Sequence, residues 1–518
     1  MKGTLLKSSG LIGGLTLGSR ILGFVRDLVI AQVFGATGIT DAFFVAFKIP
    51  NFLRRLFAEG VFSQALMPVL ASAREEGGLK QVKAVSDRVT GSFLILLILI
   101  TGIGVLLSPI LITLFAPGFT GSEDKIRIAT ELLRITFPYL VFIALTALSG
   151  SLLNLYEDFA IPAATPMLLN LAMIFGSLVL APHLEEPIVA LALGVVIGGV
   201  LQLGLQIPAL WRRGLLPRPR VAFSHPDVRR VFRLMSPALL GASVTQINLL
   251  INTLLASLLA TGSISWLYYS DRLLEFPLGL LGVALGTVVL PRLSRCKARG
   301  DGDTFSKTLD WALKTLLLIG LPATLGLVLL AEPLMYTLFQ HDHFNPEDAR
   351  MAARSLMAYG SGLPAFLAIK VLVPGFSAQE DLKTPARIGI YAVLVNVAAS
   401  LASTFWLAPA GYGHAGLALA ASLAATFNAL MLLAILNRRK LLQPARSHGR
   451  FLMRLLAGNA VLGAFLYLAV QTFSFEGLDS IHRIVTLSAL IGGGATMYAL
   501  TLLLMGLRPH HLLEPGQA

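Results

Sequence analysis

Residues 67–74 read MPVLASAR, and 223 positions further on residues 290–297 read LPRLSRCK. At the same offset Glu157, Asp158 and Pro162 fall on Glu380, Asp381 and Pro385, while the pairs LF (114–115 and 338–339) and ED (123–124 and 347–348) recur one position out of step. Each match alone is weak, but their common order makes the chain two similar halves. Around them lie fourteen apolar segments of about 20 residues or more, from 10–34 to 484–506, each long enough to cross a bilayer as a helix. Six segments fall in each half and two follow. The expected fold is therefore an all-α, polytopic membrane protein of fourteen transmembrane helices. An N-lobe covers 1–215, a C-lobe covers 216–440, and the last two spans with a tail cover 441–518. Since six is even, both lobes have the same orientation, related by a pseudo-twofold axis along the membrane normal. Transporters built from such repeats bind substrate between them and rock one against the other.

Composition agrees with a membrane chain. Of 518 residues, 55% are hydrophobic and only 13% charged, against about 25% charged in soluble domains; the mean hydropathy is +0.76. The net charge of +13 would point to nucleic acid in a soluble protein, but here it sits in alternate linkers. Linker 211–233 holds seven arginines and linker 437–454 holds six cations, whereas 182–187, 332–348 and 473–482 carry mainly acids. By the positive-inside rule both termini are cytoplasmic, and no nucleic acid is implied. The lone Cys296 excludes a disulfide framework and a thiolate metal site. No A-x-A cleavage site follows the first apolar run, so it reads as a retained helix. His341 and His343 form an isolated H-x-H pair, better read as solvated than as a metal site, and there is no phosphate-binding G-x-x-x-x-G-K-[ST] loop.

The informative residues are charges inside apolar spans. SRILGFVRD (19–27) places Arg20, Arg26 and Asp27 in the first span. An arginine at mid-membrane costs about 2.5–3.5 kcal/mol on the insertion scale, so it faces a partner or a wet cavity. In the second span Asp41, Lys48 and Arg55 recur every seven residues, Arg55 reaches Glu59 at i, i+4, and Arg54 points about 100° away. The eighth span carries Ser265, Tyr268, Arg272 and Glu275, followed by Gly279, Gly282 and Gly286. Lys370 adds a cation in the tenth. Local ion pairs, Arg26 with Asp27, Arg55 with Glu59 and Arg272 with Asp271 or Glu275, are the bland alternative; Arg20 and Arg54 lack a nearby acid. Guanidinium groups bind phosphate bidentately and stay charged at any relevant pH, so an anionic, phosphorylated amphiphile is the natural substrate.

The stretches SRILGFVRD, TDAFFVAFKIPNFLRRLFAEGVFSQALMPVL (40–70), SWLYYSDRLLEFPLGLLGVALGTVVLPRLS (265–294) and DLKTP (381–385) resemble the signatures of the MurJ/MviN family. These are bacterial inner-membrane lipid II flippases in the multidrug/oligosaccharidyl-lipid/polysaccharide exporter superfamily. Val61 and Ser270 stand where small alanine-like residues are usual. The resemblance implies transport of the undecaprenyl-diphosphate-linked disaccharide-pentapeptide to the periplasmic leaflet, with membrane lipids around it and a transient association with the peptidoglycan-synthesis machinery. It assigns substrate binding to Arg20, Arg26, Arg54, Arg272, Asp41 and Glu59, with Arg55, Lys48, Ser265, Glu275 and Lys370 as further cavity residues, and a lipid-facing groove to the last two spans. No cofactor or metal is expected, and no sodium site, since spans 7, 11 and 12 hold no acid. The membrane potential or an ion gradient would drive the cycle. The alternatives are an exporter of another anionic lipid-linked oligosaccharide and a drug exporter, which for cationic drugs would need acids in the cavity. An integral-membrane polyprenyl-phosphate enzyme would need clustered carboxylates or histidines at a membrane face.

Overall fold

A computed structural model describes residues 2–57, 61–442 and 448–507. Among them the regular structure is helical, apart from one isolated bridge between His341 and Phe344. The chain divides into two compact units, Met1–Gly262 and Ser263–Ala518.

The first unit holds α1 (Lys2–Phe34), α2 (Gly38–Phe57), α3 (Val61–Leu106), α4 (Ser108–Phe115), α5 (Glu123–Thr136), α6 (Tyr139–Leu155), α7 (Ala160–Phe175), α8 (Val189–Arg212) and α9 (Pro226–Ser257). α3 is two arms joined at Gly77–Gly78, where Gly78 adopts φ 59°, ψ −146°, a conformation open to glycine and strained for any residue with a Cβ. The stretch 71–88, expected to be a linker, is thus mostly helical. α7 passes through a π-turn at 176–180 and lies on α8; a Cβ at Gly194 would sit 2.9 Å from the Ala172 carbonyl oxygen. In a bilayer, where lipid is as apolar as leucine, such close backbone approach is a main source of helix association. α9, which the repeat assigns to the second half, packs on α3, α2 and α4. Phe93 bridges Phe62 and Phe232 there, at ring-centroid distances of 4.6 and 6.4 Å. The basic segment after α8 is strapped along α3: Arg218 donates its backbone N–H to the Asp87 carboxylate at 2.6 Å, and Lys83 donates to the Leu216 carbonyl at 2.9 Å.

The second unit holds α10 (Ser263–Ala298), α11 (Gly302–Leu329), α12 (Ala331–Leu338), α13 (Pro346–Ser361), α14 (Leu363–Ser377), α15 (Lys383–Leu407), α16 (Gly413–Arg438), α17 (His448–Thr472) and α18 (Ser480–Leu504). Its core joins α10, α11, α14 and α16 through Leu293, Leu309, Leu367, Phe376 and Leu432, all fully buried. α13 starts on a reciprocal cap in which Asn345 and Asp348 each accept the other's backbone N–H, with Pro346 at the first helical position. α17 and α18 form a hairpin docked on α11 and α12.

Nine helical segments among the described residues are long and apolar enough to cross a membrane; α13 and α14, bent by 40° at Gly362, add a tenth when taken as one span. The chain is an all-α, multi-pass membrane protein. α1, α2 and α10, which carry the charged stripes, are not among the ten.

Candidate functional site

The two arginines of SRILGFVRD have different fates. Arg26 is buried beside Asp27, with Nε and Nη2 donating to Oδ1 at 2.9 and 2.5 Å. Its Nη1 donates to Asn170 Oδ1 on α7 at 3.0 Å, and the Asn170 amide donates to the Ser19 carbonyl at 3.2 Å. This cluster neutralises Arg26 and fastens α1 to α7. Removing one partner of such a pair costs about 3–5 kcal/mol, because the other charge stays buried. Arg20, nearly two turns earlier on the same helix, is exposed and makes no hydrogen bond or ion pair with a described residue.

On α2 the acid and the bases also separate. Asp41 is 2% exposed and accepts the Gly262 backbone N–H at 2.7 Å, so its carboxylate closes the turn that follows α9. Lys48 is half-buried and engaged. Arg54 is half-buried, with Nε donating to Asn51 Oδ1 at 2.8 Å. The Nε of Arg55 is buried and has no partner among the described residues, and Glu59 lies outside them.

In the second unit, α10 is locked to α13 before its arginine. Trp266 Nε1 donates to Asp348 at 2.9 Å and Ser270 Oγ donates to the Ala352 carbonyl at 2.7 Å, while Ser265 is fully buried. Arg272 donates to Glu275 at 2.7 Å and to the Tyr268 hydroxyl at 3.3 Å, and its guanidinium lies 4.9 Å from the Tyr268 ring centroid. Glu275 is about half exposed, and an exchangeable pair of this kind contributes about 1 kcal/mol or less, so a phosphate can displace the carboxylate. Lys370 on α14 lays its stem on α10, 3.4 Å from where a Cβ at Gly282 would sit; the residue is exposed and has no ion-pair partner among the described residues. Gly286, expected to continue that stripe, lies in the helical stretch 283–287, whose side chains the structure does not describe.

Each unit therefore presents an exposed, unneutralised cation on an apolar frame, Arg20 in one and Lys370 in the other. Asn170 was missed by sequence reasoning; one amide inside an otherwise apolar span is its only signal. The second unit adds an apolar groove of about 660 Å³ between α11, α12, α17 and α18, walled by Leu327, Leu334, Leu462, Leu490 and Leu503, with Tyr498 among its lining residues.

A family model described as "Lipid II flippase MurJ" matches residues 30–486. The chain is 44% identical over 512 residues to the "Probable lipid II flippase MurJ" of Vibrio cholerae serotype O1, covering 97% of each chain. It is similar to a solved structure titled "Lipid II flippase MurJ, inward closed conformation", with a TM-score of 0.79 at 27% identity over 95% of this chain and 97% of that one. A multidrug resistance MATE family transporter of the MOP superfamily, in an inward-facing conformation, shares the fold at 12% identity, with a TM-score of 0.68 over 81% of this chain and 94% of that one.

Proposed function

The chain belongs to the lipid II flippase MurJ family, and on that footing we propose that it carries lipid II from the cytoplasmic to the periplasmic leaflet of the bacterial inner membrane for peptidoglycan synthesis. It is a transporter and leaves its cargo chemically unchanged.

The observation that carries this reading is Arg20: an exposed guanidinium on α1 with no acid to neutralise it. Such a charge is costly in a bilayer unless it meets water or an anion. A diphosphate supplies the anion, and the planar fork binds it bidentately. Arg54 in the first unit, and separately Arg272 and Lys370 in the second, are further cations suited to an anionic headgroup, with Glu275 yielding Arg272 to a phosphate. Arg26, Asp27 and Asp41 hold α1 and α2, the helices that present Arg20 and Arg54. The groove beside α17 and α18 accommodates the polyprenyl tail, whose isoprene units match its leucine walls.

Transport proceeds by alternating access. The cations take up the headgroup on the cytoplasmic side, and the bound anion offsets repulsion among them, favouring the outward-open state. The membrane potential acts on the net charge that moves, about 2.3 kcal/mol per charge per 100 mV. The lobes 1–215 and 216–440, fourteen spans and cytoplasmic termini complete this picture, with delivery to the peptidoglycan-synthesis machinery outside. Depletion of the protein in growing cells tests it: lipid II accumulates in the cytoplasmic leaflet, whereas unchanged leaflet distribution refutes the assignment.

A further inference from the structure

Proline has no amide hydrogen, so Pro322 within α11 leaves the carbonyl of Leu318, one turn earlier, without its intrahelical donor. In a membrane-spanning helix an unsatisfied carbonyl is expensive. The hydroxyl of Tyr498, on α18, donates to that oxygen at 2.7 Å. Tyr498 is 9% exposed and shares the groove wall with both Leu318 and Pro322. α17 makes room for its ring at Gly458, where a Cβ would lie 3.0 Å from Cε2. The proline, the tyrosine and the glycine sit on three helices and meet at one bond.

We infer that Tyr498 is a positioning residue that sets the width of the groove and, through it, the selection of long polyprenyl chains. The inference rests on the reading of the groove as the tail site. Apolar helices in lipid have no hydrophobic drive toward each other, so leucine contacts alone leave the distance between α18 and α11 loosely defined. A directional hydrogen bond fixes it. Dispersion contacts are short-ranged: a radial gap of about 0.5–1 Å forfeits a quarter to a half of each one. A long chain sums many such contacts along the wall and a short chain few, so a groove that widens slightly loses affinity for long chains first.

The test uses the purified full-length protein in nanodiscs, with farnesyl diphosphate and undecaprenyl diphosphate as probes that share a headgroup. The wild type prefers the longer chain. Tyr498→Phe removes the donor, and Pro322→Ala restores an amide hydrogen that competes with the Tyr498 hydroxyl for the Leu318 carbonyl. Each variant binds undecaprenyl diphosphate about threefold to tenfold more weakly, the range expected for one neutral hydrogen bond, with farnesyl diphosphate unchanged. The double variant is no weaker than either single one. Full retention of chain-length preference in Tyr498→Phe overturns the inference, as do equal losses for both probes or additive losses in the double variant. A wild type that does not distinguish the chains overturns the groove reading itself, and the inference falls with it.

Discussion

Glu157 and Glu380 hold the same left-handed backbone conformation, at φ 64° and 61°, at the same step of the two halves. In each case the residue lies just beyond a helix, and the next amide bonds back across the turn, Asp158 to the Leu153 carbonyl and Asp381 to the Phe376 carbonyl, at 3.0 and 3.1 Å. The aspartates then pair with arginines that follow a later helix, Asp158 with Arg213 at 3.1 Å and Asp381 with Arg439 at 2.7 Å. The residues after those arginines, Gly214 and Lys440, are again left-handed. The short sequence matches at an offset of 223 thus mark a repeated pair of helix ends.

A side chain with a Cβ in the left-handed region costs about 1–2 kcal/mol, and both glutamates are exposed, so little else holds them. Glu157→Gly and Glu380→Gly each raise stability by about 1 kcal/mol or less, the gain being trimmed by the greater freedom of glycine in the unfolded chain. A β-branched residue at either site lowers it. Thermal unfolding in detergent measures both.

The Asp381 carboxyl is held down to about 2 by hydrogen bonds from the Thr384 hydroxyl and backbone N–H and by the Arg439 guanidinium. An unperturbed aspartate titrates near 3.9, so the folded state binds this proton less readily than the unfolded one. The contribution to stability is present above about pH 4 and is lost as pH falls toward 2. The difference in midpoint temperature between wild type and Asp381→Asn is accordingly constant near neutral pH and shrinks through that acid window. A difference that grows on acidification has the wrong sign.

At the α1–α7 junction the order of severity among variants is fixed by buried charge. Asp27→Asn leaves the Arg26 guanidinium buried without its counter-ion and costs about 3–5 kcal/mol. Asn170→Ala removes a neutral acceptor for Arg26 and a donor to the Ser19 carbonyl, and costs about 1–3 kcal/mol. Replacing Arg26 and Asp27 together by Met and Leu costs less than Asp27→Asn alone, because no charge is stranded. Unfolding midpoints of the three variants rank the effects.

Hydropathy made the membrane class and the helical content readable, and the alternation of linker charge made their orientation arguable, because lipid contact constrains side chains directly. Helix ends were less legible. α10 runs through Lys297 and α3 continues on both sides of Gly77–Gly78, since polar residues outside the bilayer extend a helix whose backbone bonds are already made. At the site, the adjacency of Arg26 and Asp27 signalled their pairing. Asn170, 144 positions away from Arg26, did not, because a partner brought in by tertiary packing leaves no local pattern. Asp41 fitted a charged stripe by its spacing, yet its carboxylate closes on Gly262. Periodicity shows which face a residue occupies and is silent on what folds against that face.

Transfer of fluorescent lipid II across proteoliposomes reads out whether Arg20 receives its diphosphate. Wild-type protein moves the label to the opposite leaflet with its chemical structure intact, while Arg20→Ala, which breaks no described contact, inserts and unfolds like wild type but transfers at least tenfold more slowly, by about 1.4 kcal/mol of lost binding. Transfer by Arg20→Ala at the wild-type rate would mean that the diphosphate binds elsewhere.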